Sequence, residues 1–142
     1  MSTEEKLHVI DALNEALNAR DMDRFAALFT ESVIFSHPAF PEPQKGVAIV
    51  RQFFENMVSA LDFNIEKRHA FSDGDRICVE WTSSGTHKAP LQLPNGQAIP
   101  ATNKSFRVQS CGVYTIKNGK ISEWHVYADR LAIFGQLGIK PS

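Results

Sequence analysis

The sequence contains little cysteine, no excess of charge of one sign and no long apolar run. Cys78 and Cys111 are its two cysteines, and both lie in strand-like apolar stretches without a CxxC spacing, so we expect buried, reduced thiols. The net charge of −1 offers no basic surface for nucleic acid. No segment is apolar for long enough to span a membrane, and the acidic start of the chain is unlike a signal peptide. We therefore expect a cytoplasmic protein that binds neither membranes nor nucleic acids.

The apolar content is sufficient for a substantial core. The chain has 142 residues, of which 43% are hydrophobic and ten are Phe. A chain of this length can bury such a core without a disulfide or a structural metal. No internal repeat, low-complexity tract or linker interrupts it, so we expect residues 1–142 to form one domain.

Helical and strand periodicities occupy different parts of the chain. Residues 2–5 read STEE, a capping box for a first helix. The strongest helical spacing is that of Val50, Phe53, Phe54, Met57, Val58 and Leu61. From residue 62 onward the period changes to two, with turns at residues 72–75 and 118–119. This order predicts an α+β fold, in which about three N-terminal helices pack on the concave face of a curved antiparallel sheet.

The last hairpin predicts which side chains share a face of the sheet. The Asn118-Gly119 turn makes Lys117 face Lys120, and a regular ladder then pairs Tyr114 with Glu123 and Ser110 with Tyr127. One face would carry Glu123, His125, Tyr127, Asp129, Ser110 and Tyr114. A single β-bulge would alter these facings.

Asp129 has two interpretations that the sequence leaves open. It precedes Arg130 and Leu131 at the start of a closing helical turn, so it can be the N-cap of that turn. If it instead faces a sheltered cavity opposite Val108, its raised pKa would suit an acid or base near neutral pH.

Four segments resemble SnoaL-like polyketide cyclases. Residues 85–87 read GTH, and residues 100–104 read PATNK, similar to the family's P-T-G-K. Residues 118–123 read NGKISE, similar to D-G-K-I-x-E, and Asp129 followed by residues 136–138 (QLG) resembles the family's ending. Two positions depart from the pattern, because Asn103 replaces a glycine and His125 replaces a frequent tryptophan.

The resemblance implies a nuclear-transport-factor-2-like fold, a cone of bent sheet and helices around a pocket. It also implies a homodimer formed through the outer face of the sheet. In the family an aspartate matching Asp129 is the acid or base of an intramolecular aldol cyclisation that uses no metal or cofactor, so none is expected here. Tyr127 and His125 are its candidate catalytic partners.

The candidate substrate pocket combines loop, helix and strand residues. His37 and Phe40 lie in a proline-rich loop that the resemblance places at the pocket mouth, and His87 belongs to the GTH segment. The other candidates are Phe53, Phe54, Met57, Trp81 and Ser110. The histidine spacing matches no metal motif, so no metal is expected.

Three functions remain open at this stage. The first is a cyclase- or isomerase-like reaction on a small hydrophobic carbonyl compound. The second is an epoxide-hydrolase-like reaction, and the third is a non-catalytic, dimeric ligand-binding or scaffolding domain. Burial of Asp129 in a cavity would favour the enzymes, whereas an exposed capping role would favour binding or scaffolding.

Overall fold

A computed structural model describes residues 2–140, which form four helices, a six-stranded sheet and a separate two-stranded hairpin. The helices are α1 (Thr3–Asn18), α2 (Met22–Ala26), α3 (Val47–Leu61) and α4 (Arg130–Leu137). The strands are β1 (Phe29–Ser36), β2 (Gln44–Lys45), β3 (Asn64–Asp73), β4 (Arg76–Thr86), β5 (Leu91–Gln92), β6 (Ala98–Ile99), β7 (Ser105–Lys117) and β8 (Lys120–Tyr127). The predicted α+β class is confirmed, with three helices before the main meander and a fourth after it.

The strands of the large sheet are arranged in the order β2-β1-β8-β7-β4-β3. Neighbours are antiparallel except for β1 and β8, which run parallel, so the first strand lies beside the last. The sheet is curved. β5 and β6 form a small hairpin between β4 and β7.

The helices begin and pack as their sequences predict. Ser2 accepts a hydrogen bond from the Glu5 N–H, and Glu5 accepts one from the Ser2 N–H, which completes the capping box of α1. The apolar stripe of α3 includes Val50 and Phe54, which are at most 5% exposed. None of the helices in residues 2–140 is long and apolar enough to cross a membrane.

Gly85 of the GTH segment packs directly against backbone atoms at the end of α3. A β-carbon on Gly85 would lie 2.1 Å from the carbonyl oxygen of Leu61 and 2.9 Å from that of Asp62. No side chain fits at these distances, so only glycine lets the end of α3 rest directly on β4. This contact fixes α3 against the sheet and helps to define the space between them.

A β-bulge changes the predicted register of the last hairpin. Lys117 pairs with Lys120 as expected, but Thr115 pairs with Glu123, so Ser122 is an extra residue in β8. Tyr114 therefore lies opposite Trp124, and the expectation that Tyr114 and Ser110 share a face with Glu123 and Tyr127 is wrong. The inner face of the sheet instead combines apolar β8 residues with Ser110, Gly112 and Tyr114 of β7.

Candidate functional site

A cavity of about 90 Å³ lies between α3, α4 and the inner face of the sheet. It is lined by apolar and aromatic side chains with a few polar groups among them. The lining residues are His37, Ala39, Phe53, Phe54, Met57, Leu61, Phe63, Ile65, Trp81, Ser83, Leu91, Gln92, Leu93, Phe106, Ser110, Trp124, Val126, Ala128, Arg130, Ile133 and Phe134. Such a lining suits a small hydrophobic molecule with one or two polar groups.

Stacked aromatic rings form one wall of the cavity. The rings of Phe54 and Trp124 lie parallel with centroids 5.2 Å apart. Gly112 of β7 makes room for this wall, because a β-carbon there would lie 2.7 Å from Trp124 Nε1 and 2.9 Å from Trp81 Cζ3. Both tryptophans can therefore rest on the sheet, and their rings set the shape of the cavity.

His37 supplies a neutral polar group to the lining of the cavity. Its Nδ1 accepts a hydrogen bond from the Ala39 N–H at 3.0 Å, so the proton of the neutral ring is on Nε2. Burial lowers the pKa of His37 from 6.5 to about 3, and the positive charge of Arg130 contributes in the same direction. At neutral pH the imidazole is therefore an uncharged N–H donor, and its low pKa makes it a weak base.

Arg130 is the one permanently charged residue among the described lining residues. It is the first residue of α4, and its Nη1 donates to the Pro38 carbonyl oxygen at 3.3 Å. Its guanidinium carbon lies 5.1 Å from the centroid of the Phe134 ring, a cation–π distance. Arg130 thus joins the His37 loop to α4 at the rim of the cavity.

Most of the predicted pocket residues do line this cavity. His37, Phe53, Phe54, Met57, Trp81 and Ser110 all contribute to its wall. Phe40 does not, but its ring packs behind the wall, 5.4 Å from Phe53 and 6.1 Å from Phe35.

His87 does not line the cavity, contrary to the sequence prediction. It is 0% exposed, and its Nδ1 lies 3.1 Å from Thr102 Oγ1. Its backbone N–H donates to the Lys104 carbonyl, and its carbonyl accepts from the Asn103 N–H. Asn103 has a φ of 60°, a left-handed conformation that asparagine adopts more readily than most residues other than glycine. His87 therefore holds the segment after β6 against the end of β4.

The three predicted catalytic residues lie outside the cavity. Asp129 is exposed and caps α4, since its Oδ1 accepts the Ala132 N–H at 2.9 Å. Tyr127 is 60% exposed and lies opposite Cys111 on the outer face of the sheet. His125 lies on the same face, with Nε2 3.5 Å from Glu123 Oε2. The alternation of β8 sends Trp124 and Val126 inward and these side chains outward.

The acid–base chemistry available to the cavity is therefore limited. None of its described lining residues is Asp, Glu, Lys, Cys or Tyr. Its hydrogen-bonding side chains are those of His37, Ser83, Gln92, Ser110, Arg130 and the two tryptophans. Within residues 2–140, no three His, Cys, Asp or Glu side chains are grouped as a metal site requires.

Sequence reasoning missed Arg130 and the inward side of β8. The apolar residues Ile121, Trp124 and Val126 are spaced three positions apart and then two, which breaks the alternation of a regular strand. That break marks the bulge at Ser122 and could have indicated that Trp124 and Val126 face the core. Arg130 gave no comparable signal, because an arginine at the start of a helix is usually solvated.

The curved sheet with helices around an apolar cavity defines a nuclear-transport-factor-2-like protein. The family model for the SnoaL-like polyketide cyclase matches residues 7–137, so the chain belongs to this family.

Solved structures support the same fold. TsrD from Streptomyces laurentii is 19% identical, with 99% of each chain covered and a TM-score of 0.83. A protein from Pseudomonas putida KT2440, provisionally assigned as a polyketide cyclase, is 25% identical over 90% of this chain and 94% of its own, with a TM-score of 0.74. An LEH-like epoxide hydrolase from M. tuberculosis is 20% identical over 95% and 90%, with a TM-score of 0.72.

Proposed function

We propose that this chain binds a small hydrophobic molecule in the cavity between α3, α4 and the sheet. The observation that carries the proposal is the composition of the lining, which is aromatic and apolar except for a few side-chain donors such as His37 and Ser110. An acceptor such as a carbonyl oxygen would satisfy the Nε2–H of His37, whose Nδ1 is already bonded to Ala39.

Ligand binding is better supported than catalysis by Asp129. An aldol cyclisation needs a base beside the carbon that loses its proton, and Asp129 is exposed at the N-terminus of α4. Epoxide hydrolysis by a pocket carboxylate has the same requirement, and the described lining residues carry no carboxylate. Neither role of Asp129 follows from this geometry.

A cofactor-free isomerase or cyclase is the second candidate. The observation in its favour is the neutral imidazole of His37, which can donate a hydrogen bond to an enolate oxygen as charge develops there. The base would have to come from the ligand itself or from water.

A fluorescence titration tests the binding proposal. Trp81 and Trp124 are the only tryptophans of the sequence, and both line the cavity, so their emission reports its occupancy. Small hydrophobic ketones and epoxides should change this emission in a saturable manner, whereas glycerol should not. The catalytic candidate is tested by following turnover of the same compounds in the wild-type protein and in His37→Gln and Asp129→Asn variants. If no compound saturates the signal, the binding proposal is wrong.

We also propose that two copies associate through the outer face of the sheet. Phe71 and Tyr127 are large apolar side chains that are 64% and 60% exposed there. Exposed large apolar side chains on a sheet face are typical of an interaction surface. A cytoplasmic location remains a prediction from the sequence.

A further inference from the structure

A second cleft, of about 190 Å³, adjoins the cavity. Four residues belong to the lining of both spaces, namely Ala39, Leu93, Arg130 and Phe134. They therefore form the partition between an apolar inner space and a more polar outer one. The inner space is smaller than the roughly 150 Å³ cavity that accommodates benzene, so a larger ligand must also use the outer cleft.

The charges along this path are all positive. Arg130 is common to both spaces, and Lys140 lines the outer cleft beside the neutral Asn95 and Gln97. No Asp or Glu occurs among the described residues that line either space. A ligand that follows this path meets apolar walls inside and a positive potential at the partition.

Arg130 is one of four arginines that have no carboxylate partner within residues 2–140, whereas the other three do. Arg20, Arg24 and Arg51 each lie within 3.5 Å of a carboxylate oxygen. Arg130 forms no such ion pair with any residue between 2 and 140, and its one hydrogen bond is to the Pro38 carbonyl. Asp129 is next to it in sequence but accepts the Ala132 N–H instead. Most of the guanidinium donors are thus free to bind an anion.

We propose that the ligand of this pocket is an amphipathic carboxylate, with its apolar body in the inner cavity and its carboxylate on Arg130 at the partition. This inference rests on the proposed binding function. A carboxylate matches the planar fork of a guanidinium, and the single positive charge of Arg130 balances its single negative charge but not the double charge of a phosphate dianion. The pairing occurs at a partly buried position, where salt screens it less than at the surface.

Two matched pairs of compounds test the assignment in the intact protein. Butanoate is compared with butanamide, and hexanoate with hexanamide, by tryptophan fluorescence and by isothermal titration calorimetry. Each acid should bind about tenfold or more tightly than its amide, because a hydrogen-bonded charge contributes more than a neutral contact. Arg130→Gln should abolish this preference, because it should weaken binding of each acid far more than binding of its amide.

Two further variants separate the role of Arg130 from general effects. Arg130→Lys should retain part of the preference, since it keeps the charge without the fork. Arg76→Gln, which removes an exposed positive charge outside both linings, should leave the preference intact. Acids and amides that bind equally well to the wild-type protein would overturn the carboxylate assignment but not the binding function. If neither compound of each pair binds, both proposals are wrong.

Discussion

The carboxylate of Asp129 accepts a hydrogen bond from the backbone N–H of Ala132 at 2.9 Å, so this aspartate caps α4. The resemblance of the sequence to the family predicts a catalytic role for Asp129, yet its side chain is exposed and engaged at a helix end. The chain therefore has the fold of its family, although the carboxylate expected to be catalytic points away from the cavity.

Substitution of Asp129 should affect stability and not ligand binding. Asp129→Ala removes the cap and should cost about 1 kcal/mol of unfolding free energy, whereas Asp129→Asn keeps a good capping residue and should cost much less. Urea unfolding measures the stability, and the tryptophan titration measures binding in both variants. A large loss of turnover in Asp129→Asn, at unchanged stability, would restore a catalytic role to this residue.

Gly85 should tolerate no side chain, because its neighbours are backbone atoms. A β-carbon 2.1 Å from the Leu61 carbonyl oxygen would force α3 away from β4. We expect Gly85→Ala to cost at least about 3 kcal/mol, seen as a lower urea midpoint.

Gly135→Ala is the matched control for Gly85→Ala. Gly135 lies inside α4, and a β-carbon there would have no atom within 4 Å outside its own helix and chain neighbours. Alanine should therefore raise stability by up to about 1 kcal/mol. A Gly85→Ala variant as stable as the wild-type protein would mean that the contact with α3 is not rigid.

The sequence was sufficient to predict the helices, the hairpins and six of the residues that line the cavity. Amphipathic spacing placed Phe53, Phe54 and Met57 on α3 correctly, because helical periodicity follows directly from residue order. The side-chain directions of β8 could not be predicted in the same way. The extra residue Ser122 shifts each later pairing with β7 by one residue, so every β8 side chain beyond it shares a face with a different set of β7 residues.

The sequence pattern also could not decide whether Asp129 caps a helix or acts as an acid or base in the cavity. A residue just before a helix can cap it or point into a cavity, and the outcome depends on how α4 meets the sheet. Arg130 shows the same limit, because only the assembled fold brings it beside His37 and Phe134.

His37 should stay neutral across the physiological pH range. Since its pKa is lowered from 6.5 to about 3, the folded protein binds fewer protons than the unfolded chain between these values. The contribution of His37 to stability is therefore fully present above pH 6.5 and is lost as the pH falls toward 3. Nitrogen NMR should show a ring with its proton on Nε2 and no titration of that ring from about pH 5 to about pH 8.

The variant His37→Gln checks the sign of this pH dependence. Its unfolding free energy should fall less steeply with acidification than that of the wild-type protein, by at most about 1.4 kcal/mol per pH unit. His8→Gln, at an exposed position of α1, should keep the wild-type slope. Equal slopes for His37→Gln and the wild-type protein would contradict the lowered pKa of His37.

The outer face of the sheet should determine the oligomeric state. Phe71 pairs with Cys78, Cys78 with Val113, and Val113 with His125, so these side chains form one row across the outer face. Tyr127 extends the patch through its neighbour Cys111. Light scattering should give the mass of a dimer for the wild-type protein, because removing this apolar surface from water favours association.

Charge placed on that face should dissociate the dimer. Phe71→Glu and Tyr127→Glu each put a carboxylate into the proposed interface, where it would lose its hydration without gaining a partner, so both variants should shift toward the monomer. Leu131→Glu is the control, because Leu131 is 65% exposed but lies on α4, away from the sheet's outer face. A wild-type protein that is monomeric at every concentration, or a Leu131→Glu variant that dissociates as readily as Phe71→Glu, would rule out association through this face.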